Sequence, residues 1–169
     1  MRPNKVRAIL SAGGTAFGTM IGEVRSPAIA LIFANAGFDF IFVDMEHGAF
    51  NLETAADIIR TARLTGMTAL VRAPDAQYHL ISRLMDAGAE GVMVPRVETR
   101  EAVETVVSAV RYPPEGVRGL STSKGHNDYR SAPSLEFIRQ ANRENLVILQ
   151  IERRVLQDIL QRPESQEPA

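Results

Sequence analysis

The chain has 169 residues, enough for one domain at roughly 150 residues each. Hydrophobic residues make up 45% and charged residues 23%, the balance of a folded globular chain rather than a disordered one. Nineteen basic against twenty acidic residues leave a net charge of −1 without a basic excess for nucleic acid, and the lack of cysteine excludes disulfides, thiolate metal sites and a cysteine nucleophile.

The N-terminal residues 1–14 carry charges and no apolar core, so a secretory signal is not expected there. The longest apolar stretch, Ala28 to Ala34, is far short of the roughly 20 residues that span a membrane. A cytoplasmic protein without membrane or nucleic-acid partners is the expectation.

In chain order, short apolar runs predict strands at Phe17–Ile21, Phe38–Asp44, Met67–Arg72, Gly91–Pro95 and Leu146–Ile151. Each is nearly continuous in apolar residues, as in parallel strands buried on both faces. Between them the spacing is helical. Ser26 before Pro27 reads as a cap and first helical residue, with Gly37 closing that helix. Leu52, Ala55, Ile59 and Ala62 follow one helical face, capped by Asn51 and ended by Gly66. Leu80, Ile81, Leu84 and Met85 form another stripe, with Asp75 as the expected cap and Gly88 as the end. Ala102, Val103, Val106, Val107 and Val110 mark the next helix, and Ser134 opens a last one running to about Asn145. The segment Tyr112–Pro133 is long, polar and glycine-bearing, and reads as a functional loop. Residues 161–169 have no apolar face and are expected to be a disordered tail on a single domain spanning 1–160.

Strand–helix alternation of this kind builds an α/β fold with a parallel sheet, whose reactive groups gather at the C-terminal strand ends. The second such end carries Asp44, Glu46 and His47, the third Arg72, and the fifth Gln150 and Glu152. The ends at Gly22–Glu23 and Pro95–Arg96 are less loaded. A carboxylate beside an imidazole fixes its tautomer, and Asp44 is close enough in sequence to do this for His47. A guanidinium such as Arg72 holds a carboxylate or a developing oxyanion. Gln150 and Glu152 alternate along one strand and share a face, a donor pair suited to a hard divalent cation. Each residue alone also has a bland reading: Asp-x-x-His by accident, Arg72 in an ion pair, Glu152 paired with Arg153 or Arg154. His79 reads as a structural or solvent-facing helix residue and His126 as turn chemistry. Gly13–Gly14 lacks phosphate-loop spacing. Arg118 is open to either an anion or a loop salt bridge.

Six segments carry a resemblance across most of the chain: GTMIGE (18–23), AGFDFIFVDMEHGAF (36–50), TALVRAP (68–74), DAGAEGVMVPRVET (86–99), RYPPEGVRG (111–119) and VILQIE (147–152). In this order they resemble the HpcH/HpaI aldolase family, class II aldolases acting on pyruvate-derived substrates. The resemblance implies a (β/α)8 TIM barrel, of which this chain holds about the first five β/α units. It implies His47 as general base oriented by Asp44, Arg72 at the enolate and the substrate carbonyl, and Gln150 against the bound keto acid. Glu152 would be a ligand to a divalent metal, Mg2+ or Mn2+ or possibly Co2+, with Glu46 near metal-bound water. The implied reaction is reversible cleavage of a 4-hydroxy-2-oxo acid to pyruvate and an aldehyde. A full barrel takes about 250 residues, so the second carboxylate ligand of the family, on a sixth strand, is expected to be missing. Open sheet edges then favour a homo-oligomer. Two other readings stay open: a non-catalytic remnant that binds ligand weakly or makes protein contacts, and a different barrel lyase or isomerase for phosphoenolpyruvate-like substrates.

Overall fold

Each of the five expected strands is present, one or two residues shorter than its apolar run: β1 (Gly18–Ile21), β2 (Phe40–Asp44), β3 (Thr68–Arg72), β4 (Gly91–Val94) and β5 (Leu146–Leu149). The computed structural model describes residues 2–130 and 134–152. The expected tail, residues 161–169, lies outside them. The strands form one parallel sheet in the order β1-β2-β3-β4-β5. Strictly sequential order means that the winding never reverses, which distinguishes a barrel arc from a doubly wound sheet.

The helices are α1 (Lys5–Ser11), α2 (Ala28–Asn35), α3 (Leu52–Leu64), α4 (Tyr78–Ala87), α5 (Arg100–Val110) and α6 (Ser134–Glu144). α2 packs on α3, α3 on α4 and α4 on α5. Alternate strand residues Ile41, Val43, Ala69, Val71, Val92 and Val94 join these helices in one buried core. The other strand face carries Phe40, Phe42, Leu70, Gly91, Met93 and Ile148, and there Phe40 and Phe42 meet edge to face at 5.8 Å. Gly91 keeps this face closely packed: a Cβ there would sit 2.8 Å from both Leu146 Cβ and Leu70 Cδ2.

The helix ends follow local chemistry, with two departures. Asn51 caps α3 by accepting from the Thr54 N–H (2.9 Å), and Gly88 ends α4 at φ 118°. Asp75 does not cap α4. That helix starts from Gln77, whose carbonyl takes the first bonds from Leu80 and Ile81, and Asp75 lies two residues too early to reach its amides. Ser26 does not cap α2 through its side chain either. It gives its carbonyl to Ile29, and the helix starts from Pro27.

The N-terminal end of the sheet is closed by ion pairs. Glu90 is fully buried and meets Arg2 at 2.8 and 2.6 Å and Arg63 at 3.5 Å. Arg2 also donates to the carbonyls of Arg63 and Met67. The connection after α5 folds onto α4 rather than standing off the surface. There Arg118 is buried against Asp86 (2.6 Å) and over the Tyr112 ring, which selects the loop salt bridge of its two readings. His126 is buried in a 3₁₀ turn (Gly125–Asn127), against the Phe137 ring of α6.

Candidate functional site

The parallel register places Asp44 directly beside Arg72 at the C-terminal ends of β2 and β3. Arg72 Nε and Nη2 donate to the two Asp44 oxygens at 2.8 and 2.6 Å, a bidentate pair whose side chains are only 12% and 8% exposed. The remaining nitrogen, Nη1, donates to Gln150 Oε1 at 3.3 Å and stands 3.3 Å from Glu46 Oε2. That Glu46 oxygen is buried and accepts no hydrogen bond. Gln150 comes from beyond β5, where its N–H continues the ladder to Val94. Three strand ends thus meet at one guanidinium.

The turn after β2 is drawn tight. Asp44 Oδ1 accepts from the backbone N–H groups of Glu46 (3.0 Å) and His47 (3.3 Å). Gly48 permits the closeness: a Cβ there would fall 2.2 Å from the Asp44 carbonyl and 2.9 Å from Gly22 Cα. Burial would raise the Asp44 carboxyl. The bonds from Arg72, His47 and Glu46 outweigh it and hold the group below its ordinary value. The same hydrogen bonding to Asp44 raises Arg72 further, so the guanidinium is a permanent cation.

His47 departs from expectation. Its side chain is 74% exposed, and the carboxylate beside the imidazole is Glu46, with Oε1 at 3.8 Å from Nε2. Asp44 holds the backbone of the turn and the guanidinium rather than orienting the ring. Sequence proximity pointed to Asp44, but its oxygens are committed across the sheet.

Glu152 Oε1 accepts from the Arg96 N–H at 3.1 Å. The Arg96 side chain reaches the Pro74 carbonyl (3.0 Å) and lies 4.0 Å from Glu46 Oε1. Arg96 is thus a site residue that the sequence reading passed over. The available signal was its position after β4, the same kind of strand end as the others. His79 lies on α4, where it lines a small pocket with Met45 and Pro74, and Gly13–Gly14 lie in the turn after α1.

For a divalent cation, Glu152 and Gln150 supply hard oxygen donors of the fitting kind. Among the described residues no group of three His, Asp or Glu side chains is placed to hold a metal ion. A cation such as Mg2+ that keeps water and substrate oxygens needs only one or two carboxylates, so the donors fit in type and make up part of a shell.

The family model described as HpcH/HpaI aldolase/citrate lyase matches residues 22–156. The 5-keto-4-deoxy-D-glucarate aldolase of Salmonella paratyphi A (strain ATCC 9150 / SARB42) is 32% identical over 150 residues, 89% of this chain and 57% of that protein. Among solved structures, an HpcH/HpaI aldolase from Desulfitobacterium hafniense DCB-2 superimposes with a TM-score of 0.88 at 34% identity, covering 94% of this chain and 61% of that one. Citrate synthase SbnG gives 0.78 at 32% identity, over 89% and 57%. The chain spans less than two thirds of the length of each of these relatives. With its sequential parallel arc and a site at the C-terminal strand ends, the chain belongs to the HpcH/HpaI aldolase/citrate lyase family.

Proposed function

We propose that the chain carries part of the active site of a divalent-metal-dependent aldolase that cleaves a 4-hydroxy-2-oxo acid to pyruvate and an aldehyde. The observation that supports this best is the guanidinium of Arg72, locked by Asp44 on one side and turning Nη1 to Gln150 and Glu46 on the other. Cleavage of the C3–C4 bond leaves its electron pair on the pyruvate half as an enolate. A fixed cation at that oxygen lowers the barrier without reorganising at the moment of reaction. The 3.3 Å contacts of Nη1 are the longest that Arg72 makes in this cluster, and a substrate oxygen displaces them more easily than the 2.6 and 2.8 Å bonds to Asp44.

His47 is exposed at the mouth and takes the proton from the 4-hydroxyl as the aldehyde forms; a proton then returns to C3 to give pyruvate. Glu46 lies between the imidazole and Arg72, and its charge adds to that of Asp44 in keeping the guanidinium protonated. Glu152 would hold the cation, with the Gln150 amide beside the keto acid. When bound, a divalent cation supplies Lewis acidity toward the keto oxygen. Pyruvate release from 4-hydroxy-2-oxo acids with added Mg2+ or Mn2+ tests the reading. The wild-type chain is expected to exceed His47→Ala by about a hundredfold or more, the usual scale for a general base; equal rates refute it.

One observation favours the second reading, a binding remnant without turnover: the described residues lack a three-ligand metal cluster. Calorimetry with Mn2+ and pyruvate separates the two, since a remnant binds both weakly and turns over nothing.

A further inference from the structure

On the outer side of the helix layer, α3, α4 and the connection that folds onto α4 border a groove of about 460 Å3. That is the size of a small-molecule site. Its charged walls come from three separate segments: Glu53 and Arg60 of α3, Arg83 and Asp86 of α4, and Lys124 before the 3₁₀ turn. Several of these charges are committed. Asp86 is held by Arg118 at 2.6 Å, and Arg60 is paired with Asp57. Glu53 lies in the first turn of α3, where the helix favours a negative charge. Among the described residues, Arg83 and Lys124 pair with no carboxylate. Two cations without a counter-charge thus line one concavity.

The wall beside them is firmly built. Gly125 is pressed onto α4: a Cβ there would fall 2.1 Å from the Ala87 carbonyl oxygen. The Asn127 side chain accepts from the Lys124 N–H at 3.1 Å and donates to the Arg130 carbonyl at 2.8 Å, while Asp128 meets Arg63 at 2.9 Å. These contacts hold two successive residues, Asp128 and Tyr129, at φ 54° and 58°, in the left-handed region that side chains disfavour. The consequence is the placement of Tyr129. It is 59% exposed, its hydroxyl accepts from Arg60 at 3.3 Å, and it lines both this groove and an adjoining cavity of about 280 Å3. An aromatic face fixed beside a solvent-open groove is a platform for a planar ring.

We propose that this groove is a second ligand site and that it takes a phosphate monoester of a ring-bearing molecule, of the size of a nucleoside monophosphate. The ring stacks on Tyr129 and the dianion bridges Arg83 and Lys124, so that two uncommitted cations meet two negative charges. The inference is independent of the aldolase reading. The test is calorimetric titration of the whole chain, without added metal, with adenosine monophosphate, adenosine and inorganic phosphate. Wild-type protein binds the monophosphate with a Kd below about 1 mM and roughly tenfold more tightly than either part. Arg83→Gln combined with Lys124→Gln, both at exposed positions, lowers the monophosphate to the affinity of adenosine. Tyr129→Asn removes the ring, keeps a residue that tolerates positive φ, and lowers the monophosphate to the affinity of inorganic phosphate. Absence of monophosphate binding by the wild type, equal affinity for monophosphate and inorganic phosphate, or unchanged affinity in either variant overturns the inference.

Discussion

Replacing Asp44 by Asn tests the central pair directly. The substitution keeps shape and removes one charge. In the wild type, four donors converge on this carboxylate: two from Arg72 at 2.8 and 2.6 Å, and the amides of Glu46 and His47 at 3.0 and 3.3 Å. Asn offers one acceptor oxygen and turns an NH2 group toward a guanidinium that can only donate. Removing one partner of a buried ion pair costs about 3–5 kcal/mol. Because this pair sits at the open end of the sheet and keeps 12% and 8% of its side-chain surface exposed, we expect about 2–4 kcal/mol. The acid dependence adds a second signature. Asp44 has a folded-state pKa below its ordinary 3.8, so its stabilisation is complete above that value and disappears as pH falls through the folded one. The gap between wild type and Asp44→Asn should therefore be full at pH 7 and close in strong acid. Urea unfolding followed by circular dichroism at both conditions measures it. A gap under about 1 kcal/mol at neutral pH, or one of constant size down to acid, would refute the pairing as the organiser of the site.

Two further outcomes follow from buried charges away from the site. His126 is buried with Nε2 on the Ser121 carbonyl (2.8 Å); burial first, and then the Arg118 charge, hold its pKa below the ordinary 6.5, against an opposing pull from Asp86. The unfolded chain therefore takes up a proton first as pH drops below 6.5, and stability declines by up to about 1.4 kcal/mol per pH unit until the folded value is passed. His126→Gln should flatten that slope in thermal melts between pH 7 and 5, and an unchanged slope counts against it. Glu90→Gln should cost about 3–5 kcal/mol by leaving Arg2 and Arg63 without their shared buried counter-charge. Because Glu90 lies at the N-terminal end of the sheet, pyruvate affinity of the folded variant should not change; a loss of affinity without loss of stability would contradict this placement.

How far the sequence revealed this molecule differs between its parts. The strands were legible because each is a short apolar run bounded by turn residues; their register was not, since parallel pairing alone does not choose partners. Asn51 and Gly88 were legible because a cap is a property of a few adjacent residues. Asp75 and Ser26 show the limit, since a residue of capping type one or two positions off cannot reach the amides. The site was legible as a set of strand ends and not as a set of contacts. Asp44 and His47 are three residues apart, yet the carboxylate serves Arg72, 28 residues away, and the imidazole faces Glu46. Arg96 was passed over because its relation to Glu46, Pro74 and Glu152 exists only once four strand ends have been brought together.

The two ends of the sheet are built on different principles. At the N-terminal end, Glu90 is fully buried and its carboxylate is met at 2.6 and 2.8 Å, with the Ala69 N–H adding a third bond. Nothing there is left to rearrange. At the C-terminal end, Asp44 and Arg72 are held as firmly, at 2.6 and 2.8 Å. Around them stand contacts of 3.3, 3.8 and 4.0 Å, a buried Glu46 oxygen that accepts no hydrogen bond, and an arginine at positive φ. Such contacts add little to stability, and a ligand oxygen can replace them at small cost. The pairing of one rigid guanidinium edge with one displaceable edge is what a binding site requires: the cation is positioned before the ligand arrives, and the bonds the ligand must break are the weak ones.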